Sequence, residues 1–352
     1  MSEPLAFIPV TDELSGFINQ KANGLFLFLQ QFNPECLGQD DEFNHYFKQH
    51  HLGHRLFFSI QNSAHILYES IRLCGKPLNQ INAIDYGAGL GTLFLLGGQL
   101  GLNRFDYNDH LPDWHHVARN LCKAAGSTIH AYIDGDYQNV TQKATEGGYR
   151  YDLVLSRNVL EHIYNPAEFH RVFSAHNPNV VIFSTTTANY HNPVMRLYHH
   201  HLHRKYENRF YRNQRILEIK KWVPELDDTT AAQWAKITRG LGGSDFSNAV
   251  LQLKNGGQIT PPPDLSTNTC DCQNGVWCEH LIRKYLYKKM IEQAGLQMKY
   301  TSGYWDTHYK NPAMNLIGKT MNLFIHLLGK EMGVWLSPFV NIIAMPTKKE
   351  GR

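Results

Sequence analysis

Asp85-Tyr86-Gly87-Ala88-Gly89-Leu90-Gly91-Thr92 is the stretch that decides the fold. The apolar run Ile81 to Ile84 enters it and reads as a strand, and Leu93-Phe94-Leu95-Leu96 leaves it as the start of a helix. Strand, glycine turn and helix make the ligand-binding corner of an open α/β sheet. One glycine permits a tight turn, another lets a ligand meet the backbone, and a third lets the helix pack against the strand. A dinucleotide site carries G-x-G-x-x-G, with the pyrophosphate on the helix N-terminus. Here the pattern is D-x-G-x-G-x-G, and the last gap is shorter by one residue.

Downstream, strand and helix patterns alternate, which predicts a parallel sheet. Leu102 to Asn108 reads as the second strand, and Asp109 follows it, eighteen positions after Gly91. A carboxylate at that place can accept hydrogen bonds from both hydroxyls of a ribose, and Asp106, inside the strand, is its rival. Ile129 to Ile133 reads as the third strand and runs into Asp134-Gly135-Asp136-Tyr137. Tyr151 to Ser156 reads as the fourth, followed by Arg157-Asn158-Val159-Leu160-Glu161-His162-Ile163-Tyr164-Asn165-Pro166. Val180 to Thr185, Leu296 to Gly303 and Val340 to Met345 complete the set. Ligands in such sheets bind beyond the C-terminal strand ends, so Asn158, His162, Tyr190 and His191 are expected to face one cleft.

The glycine motif resembles the first motif of class I S-adenosylmethionine-dependent methyltransferases. Asp152 to Pro166 resembles the D-x-V-x-S-x-x-V-L-E-H-x-x-x-P stretch of that family's small-molecule, type 11/12-like branch. The resemblance spans roughly residues 78 to 193 and 280 to 346, within the limits of such matching. It implies a Rossmann-like, seven-stranded, mostly parallel sheet with helices on both faces, and S-adenosyl-L-methionine as cofactor. It further implies that Asp85, Gly87, Ala88, Gly89 and Gly91 wrap the methionine part of the cofactor. Asp109 then holds the ribose, and Asp136, beside Tyr137, the adenine amino group, with Asp134 as an alternative. Ser156, Arg157 and Asn158 complete the cofactor site. The Asn/Asp-Pro-Pro-aromatic motif of base-modifying enzymes is absent after the fourth strand, which speaks against a nucleic-acid substrate. The acceptor is expected to be a small molecule, or a glycan-like or lipid-like one, methylated on oxygen. Such an acceptor needs a base. His162 and His191 are the candidates, with Tyr190 as an orienting group. The alternatives are a nicotinamide-dinucleotide oxidoreductase, disfavoured by the glycine spacing, and a non-catalytic scaffold with the same fold.

Composition sets the frame. The 352 residues carry a formal net charge of +3, too weak a field to argue for nucleic acid. The N-terminus has neither a basic region nor an apolar core, so no secretory signal is expected. No apolar run reaches the ~18 residues of a membrane span. Six cysteines without a signal predict a cytoplasmic protein. Apolar spacing predicts helices over Leu14 to Phe32 and Leu56 to Ile71, either a lid over the cleft or a layer on the sheet. The expected organisation is an N-terminal helical extension, 1–77, and a methyltransferase domain, 78–346, with an insertion at 194–279 and a tail at 347–352.

Three features of the C-terminal half stand apart. Arg196 to Lys221 has eight Lys/Arg against Glu207 and Glu218, with aromatic residues interleaved. That pattern fits an anionic acceptor, but a solvated helix is the simpler expectation. Cys270, Cys272, Cys278 and His280 resemble a zinc clip, yet their spacing matches no standard finger, so no metal is expected. Met314, Ile317, Met321, Phe324 and Leu328 form an apolar helical stripe, expected to pack in the core, with a lid, a dimer face or a lipid-like attachment as alternatives.

Overall fold

The computed structural model describes residues 5–37, 45, 47–49, 53–260 and 268–347. The expected tail, beyond residue 347, lies outside the described residues. Seven strands form one sheet in the order β3-β2-β1-β4-β5-β7-β6. They are β1 (Asn82–Tyr86), β2 (Arg104–Asn108), β3 (Tyr132–Ile133), β4 (Leu153–Arg157), β5 (Val181–Thr186), β6 (Leu296–Ser302) and β7 (Val340–Pro346). The first five run parallel, and β7 runs antiparallel to both its neighbours. Strand order reverses between β1 and β4, the switch point where such sheets take ligands.

One face is covered by α1 (Glu13–Gln31), α2 (Leu56–Cys74), α3 (Thr92–Gly97) and α4 (Pro112–Ala125). Asp12 caps α1 by accepting from the Ser15 amide, and Gly75, at φ 68°, ends α2. Ile18, Leu25, Ile60 and Leu67 from α1 and α2 share a core with Phe105 and Phe183 of the sheet. The N-terminal helices are therefore a layer of the sheet rather than a detached lid. The other face is covered by α5 (Tyr137–Glu146) and α6 (Pro166–His176), which pack Val140, Phe169 and Phe173 against Tyr86 and Ile182.

Between β5 and β6 the chain forms α7 (Pro193–Tyr206), a π-helical turn (Glu207–Tyr211), α8 (Arg212–Trp222), α9 (Asp228–Ile237) and α10 (Gly243–Lys254). Ile219, Ala235, Phe246 and Val250 give this region a small core of its own. Its basic segment is not wholly solvated. Arg215 is fully buried, where its guanidinium donates to Glu207 and to the Ala235 carbonyl. Helix α11 (Lys284–Gln293) follows, and just before it the Leu281 amide donates to Asn268 Oδ1. Last is α12 (Pro312–Met332), whose stripe departs from expectation: Met314, Ile317, Phe324 and Leu328 face outward, not into the core. On the side toward the protein, Ile325 is buried and Asn315 and Asn322 bond to the backbone of the preceding loop, which leaves the larger apolar face outward.

Helix α3 sits hard against β2. A Cβ on Gly97 would lie 2.3 Å from the ring of the buried Phe105. Gly97→Ala is therefore expected to cost about 1–3 kcal/mol in urea denaturation, the usual cost of overpacking. An unchanged midpoint contradicts this packing.

Candidate cofactor site

At the end of β1 the glycine loop makes its turn with Gly87 at φ 66° and Gly89 at φ 51°, a region side chains rarely enter. A Cβ on Gly87 would also lie 2.6 Å from Val159, so the loop packs closely on the segment after β4. The loop is held from β2. The Gly89 amide donates to Asp109 Oδ2 at 2.9 Å, the Ala88 amide to the Asn108 carbonyl at 2.8 Å, and the Gly87 amide to Asn108 Oδ1 at 3.3 Å. The Tyr107 hydroxyl donates to the Gly89 carbonyl at 2.9 Å. Asn108 Nδ2 then reaches the carbonyls of Ile133 and Gly135, tying in the loop after β3. Asn108 is the link between all three loops, and the sequence offered no signal for it beyond adjacency to Asp109.

Asp85 is buried, and its Oδ2 has no hydrogen-bond partner. Burial raises its carboxyl well above the ordinary carboxylate range, against the pull of the nearby Arg157 guanidinium. Arg157 Nη1 donates to Ser59 Oγ at 2.9 Å and to the Ser59 carbonyl, joining α2 to the switch point. Asp109 accepts from the Leu111 amide with its other oxygen. Asp136 caps α5, accepting the Gln138 and Asn139 amides on Oδ1, and both Asp136 and Asp134 are exposed. Tyr137 begins that helix and packs on Phe169. Ser156 is buried, with its hydroxyl donated to Ser184. Asn158 is exposed, in the left-handed region at φ 56°, with its amide bonded to the Thr185 carbonyl. Asp106 is committed elsewhere: its Oδ2 accepts from Arg104, Tyr149 and Tyr151.

His162 closes a short 3-10 turn, Leu160–His162, and its Nδ1 is 2.8 Å from the Trp277 carbonyl. A carbonyl only accepts, so Nδ1 carries the proton and the neutral ring keeps its lone pair on Nε2. The same turn is gripped by the segment before α11: Trp277 N–H donates to the His162 carbonyl and His280 N–H to that of Glu161. Glu161 is fully buried with Oε2 unpartnered, and burial raises its carboxyl despite the nearby His162. Glu279, at φ 52°, pairs with buried His199 at 2.8 Å, and His199 Nε2 donates to the Thr187 carbonyl. Burial opposes the charge on His199, but Glu279 outweighs it and raises the ring's pKa. Glu161, His199 and Glu279 escaped the sequence reading because their meeting spans more than a hundred residues.

Tyr190 and His191 do not join this group. Arg196 and Arg283 stand over the Tyr190 ring at 5.4 and 5.1 Å, and His191 packs on Tyr300 and Trp335. They line a cavity of about 550 Å³ with Lys284 and Lys288. Burial, then Lys284 and Arg196, lowers the His191 pKa. The thiols of Cys270, Cys272 and Cys278 are raised by burial to about 12, 11 and 12, and His280 stacks on Trp277 at 4.0 Å. Among the described residues, no group of three His, Cys, Asp or Glu is arranged to hold a metal ion.

With this geometry in place, comparison with known proteins is direct. A family model described as a methyltransferase domain matches residues 42–227, over half of the chain. The chain belongs to this methyltransferase family. Its methyl donor is S-adenosylmethionine. No curated protein matches the chain. Among solved structures, magnesium protoporphyrin IX methyltransferase from Synechocystis, with bound SAH, is 10% identical, covering 87% of this chain and 94% of its own, at a TM-score of 0.39. The plantazolicin methyltransferase BpumL, also with SAH, is 12% identical, covering 94% of this chain and 100% of its own, at a TM-score of 0.37.

Two left-handed glycines shape this corner, and Asp85 Oδ2 there is buried without a hydrogen-bond partner. Asp109→Ala is expected to weaken S-adenosylhomocysteine binding by about 1.5–3 kcal/mol in calorimetry, the range for a hydrogen bond to a charged group. Asp106→Ala should lower the melting temperature and spare the affinity. The reverse result would move the ribose contact into β2.

The buried imidazoles also set an acid limit. Burial lowers His203 to about 4 and His280 to about 3, from 6.5. Both stay neutral in the fold while the unfolded chain takes up protons, so their contribution is present above pH 6.5 and lost as pH falls toward 4. The raised Glu161 works in the opposite sense. His280→Phe, which keeps a ring on Trp277, is expected to flatten the fall in melting temperature across that window; an unaltered slope contradicts the assignment.

Proposed function

We propose that the chain O-methylates a small-molecule, glycan-like or lipid-like acceptor, with His162 as the base. Methyl transfer is an in-line displacement, for which the bound donor supplies an activated methyl group. The protein's task is then to position and to move a proton. The observation that carries this reading is the His162–Trp277 bond, which fixes the proton on Nδ1 and leaves Nε2 to accept one from an acceptor hydroxyl.

In this reading the glycine loop and Asp85 take the methionine part of the donor, Asp109 the ribose, and Asp136 Oδ2 the adenine amino group. Arg157 and Asn158 border the reacting end. His191, with its cations, is the second candidate for the base. Cys74, Cys122, Cys270, Cys272 and Cys278 are free thiols, which supports a cytoplasmic setting.

The test is a steady-state comparison. Labelled methyl donor and a lysate of the source cells identify a product, and the variants are then assayed on its precursor. His162→Ala is expected to lower kcat by ~100-fold or more, with donor affinity unchanged. Full turnover in His162→Ala together with a dead His191→Ala would move the base to the loop after β5. Full turnover in both would mean that the acceptor needs no base from the protein.

A further inference from the structure

Helix α12 is amphipathic the wrong way round for a globular domain. Leu316, Ile317, Leu323, Phe324, Leu327 and Leu328 are each between 47% and 69% exposed. The face toward the protein is mixed: Gly318 and Ile325 are buried there, beside two asparagines. Asn315 brackets the backbone of Tyr309 and Asn322 that of Trp305, each with one accepted and one donated bond. These two asparagines are seven residues apart and so share a face. Four hydrogen bonds and the buried Ile325 thus hold the helix, and its larger apolar side is left to solvent. Exposed apolar faces of this extent mark an interaction site.

Charge narrows the choice of partner. From Thr307 to Gly333 the chain has Lys310, Lys319 and Lys330 against one carboxylate, Glu331. All three lysines are exposed, but Lys330, past the break at Gly329, lies 4.0 Å from Glu69, so Lys310 and Lys319 carry the charge beside the apolar face. A second copy laid on this face would meet the same lysines with too few carboxylates to match them. A layer of phosphate headgroups supplies the missing negative charge, and acyl chains accept the apolar side chains. Among the described residues no helix is long and apolar enough to cross a membrane, so the contact is one of lying on a surface.

We infer that α12 is a docking face for an anionic phospholipid bilayer, lying in its interface with the leucines inward and the lysines at headgroup level. Behind the helix a cavity of about 550 Å³ is walled by Ile325, Phe183 and Ile343 and reaches Tyr304. The Tyr304 hydroxyl is buried and unpartnered, and Arg157 acts on it electrostatically.

The test is flotation of the full chain with vesicles of phosphatidylcholine, with and without phosphatidylserine. The chain is expected to float with the phosphatidylserine vesicles and much less with phosphatidylcholine alone. Leu316→Gln with Leu327→Gln should abolish flotation while leaving melting temperature and S-adenosylhomocysteine affinity unchanged, since both side chains are exposed. Lys310→Glu with Lys319→Glu should remove the preference for phosphatidylserine. The inference is overturned if the chain floats with neither vesicle, or if the leucine variant floats as well as the parent. It is equally overturned if the parent is a dimer that this variant converts to a monomer, for then a second copy covers the face.

Discussion

The hydrogen bond from the Gly89 amide to the Asp109 carboxylate is the constraint on which the site depends. A loop of alternating glycines has more conformations to lose on folding than any other sequence. Here the neighbouring strand removes that freedom. Asp109 takes one amide, Asn108 two more through its carbonyl and side chain, and Tyr107 holds the Gly89 carbonyl. Three consecutive residues of one strand end thus set the loop's shape before any ligand arrives. A preorganised loop avoids the ordering cost that a flexible one would levy on binding.

A second constraint lies across the switch point. The turn after β4 is held through the backbone by residues 277 and 280, far along the chain. The insertion is therefore more than an appendage. It turns His162 to a fixed tautomer and brings Glu279 and His199 beside Glu161, in a pocket where burial makes each charge depend on its partner. Arg157 does the same on the other side, joining α2 to the β4 end through Ser59. Positioning catalysis needs this kind of support, because small displacements of the reacting groups are costly.

What the sequence made legible was local. The glycine motif, the strand alternation and Asp109 all follow from neighbours within twenty residues, and the seven strands form close to where the patterns put them. Edges moved by a residue or three: β3 shrank to Tyr132–Ile133 because only those residues pair with β2. Non-local facts stayed hidden. Nothing near Glu279 announces His199, and nothing near Tyr304 announces Arg157. The stripe on α12 was visible as a pattern, but periodicity reports that a helix has two faces and not which one is turned inward. Asn315 and Asn322 decided that, through bonds to a loop that no pattern predicts.

The central claim is that one ligand site is built from the ends of β1, β2 and β3. Amide hydrogen exchange with and without S-adenosylhomocysteine tests it most directly. The account predicts that protection concentrates in residues 85–92, 108–111 and 134–138, the segments joined through Asn108 and Asp109. Protection centred instead on the cavity of about 660 Å³ lined by Gln20, Gly98 and His130 would contradict it.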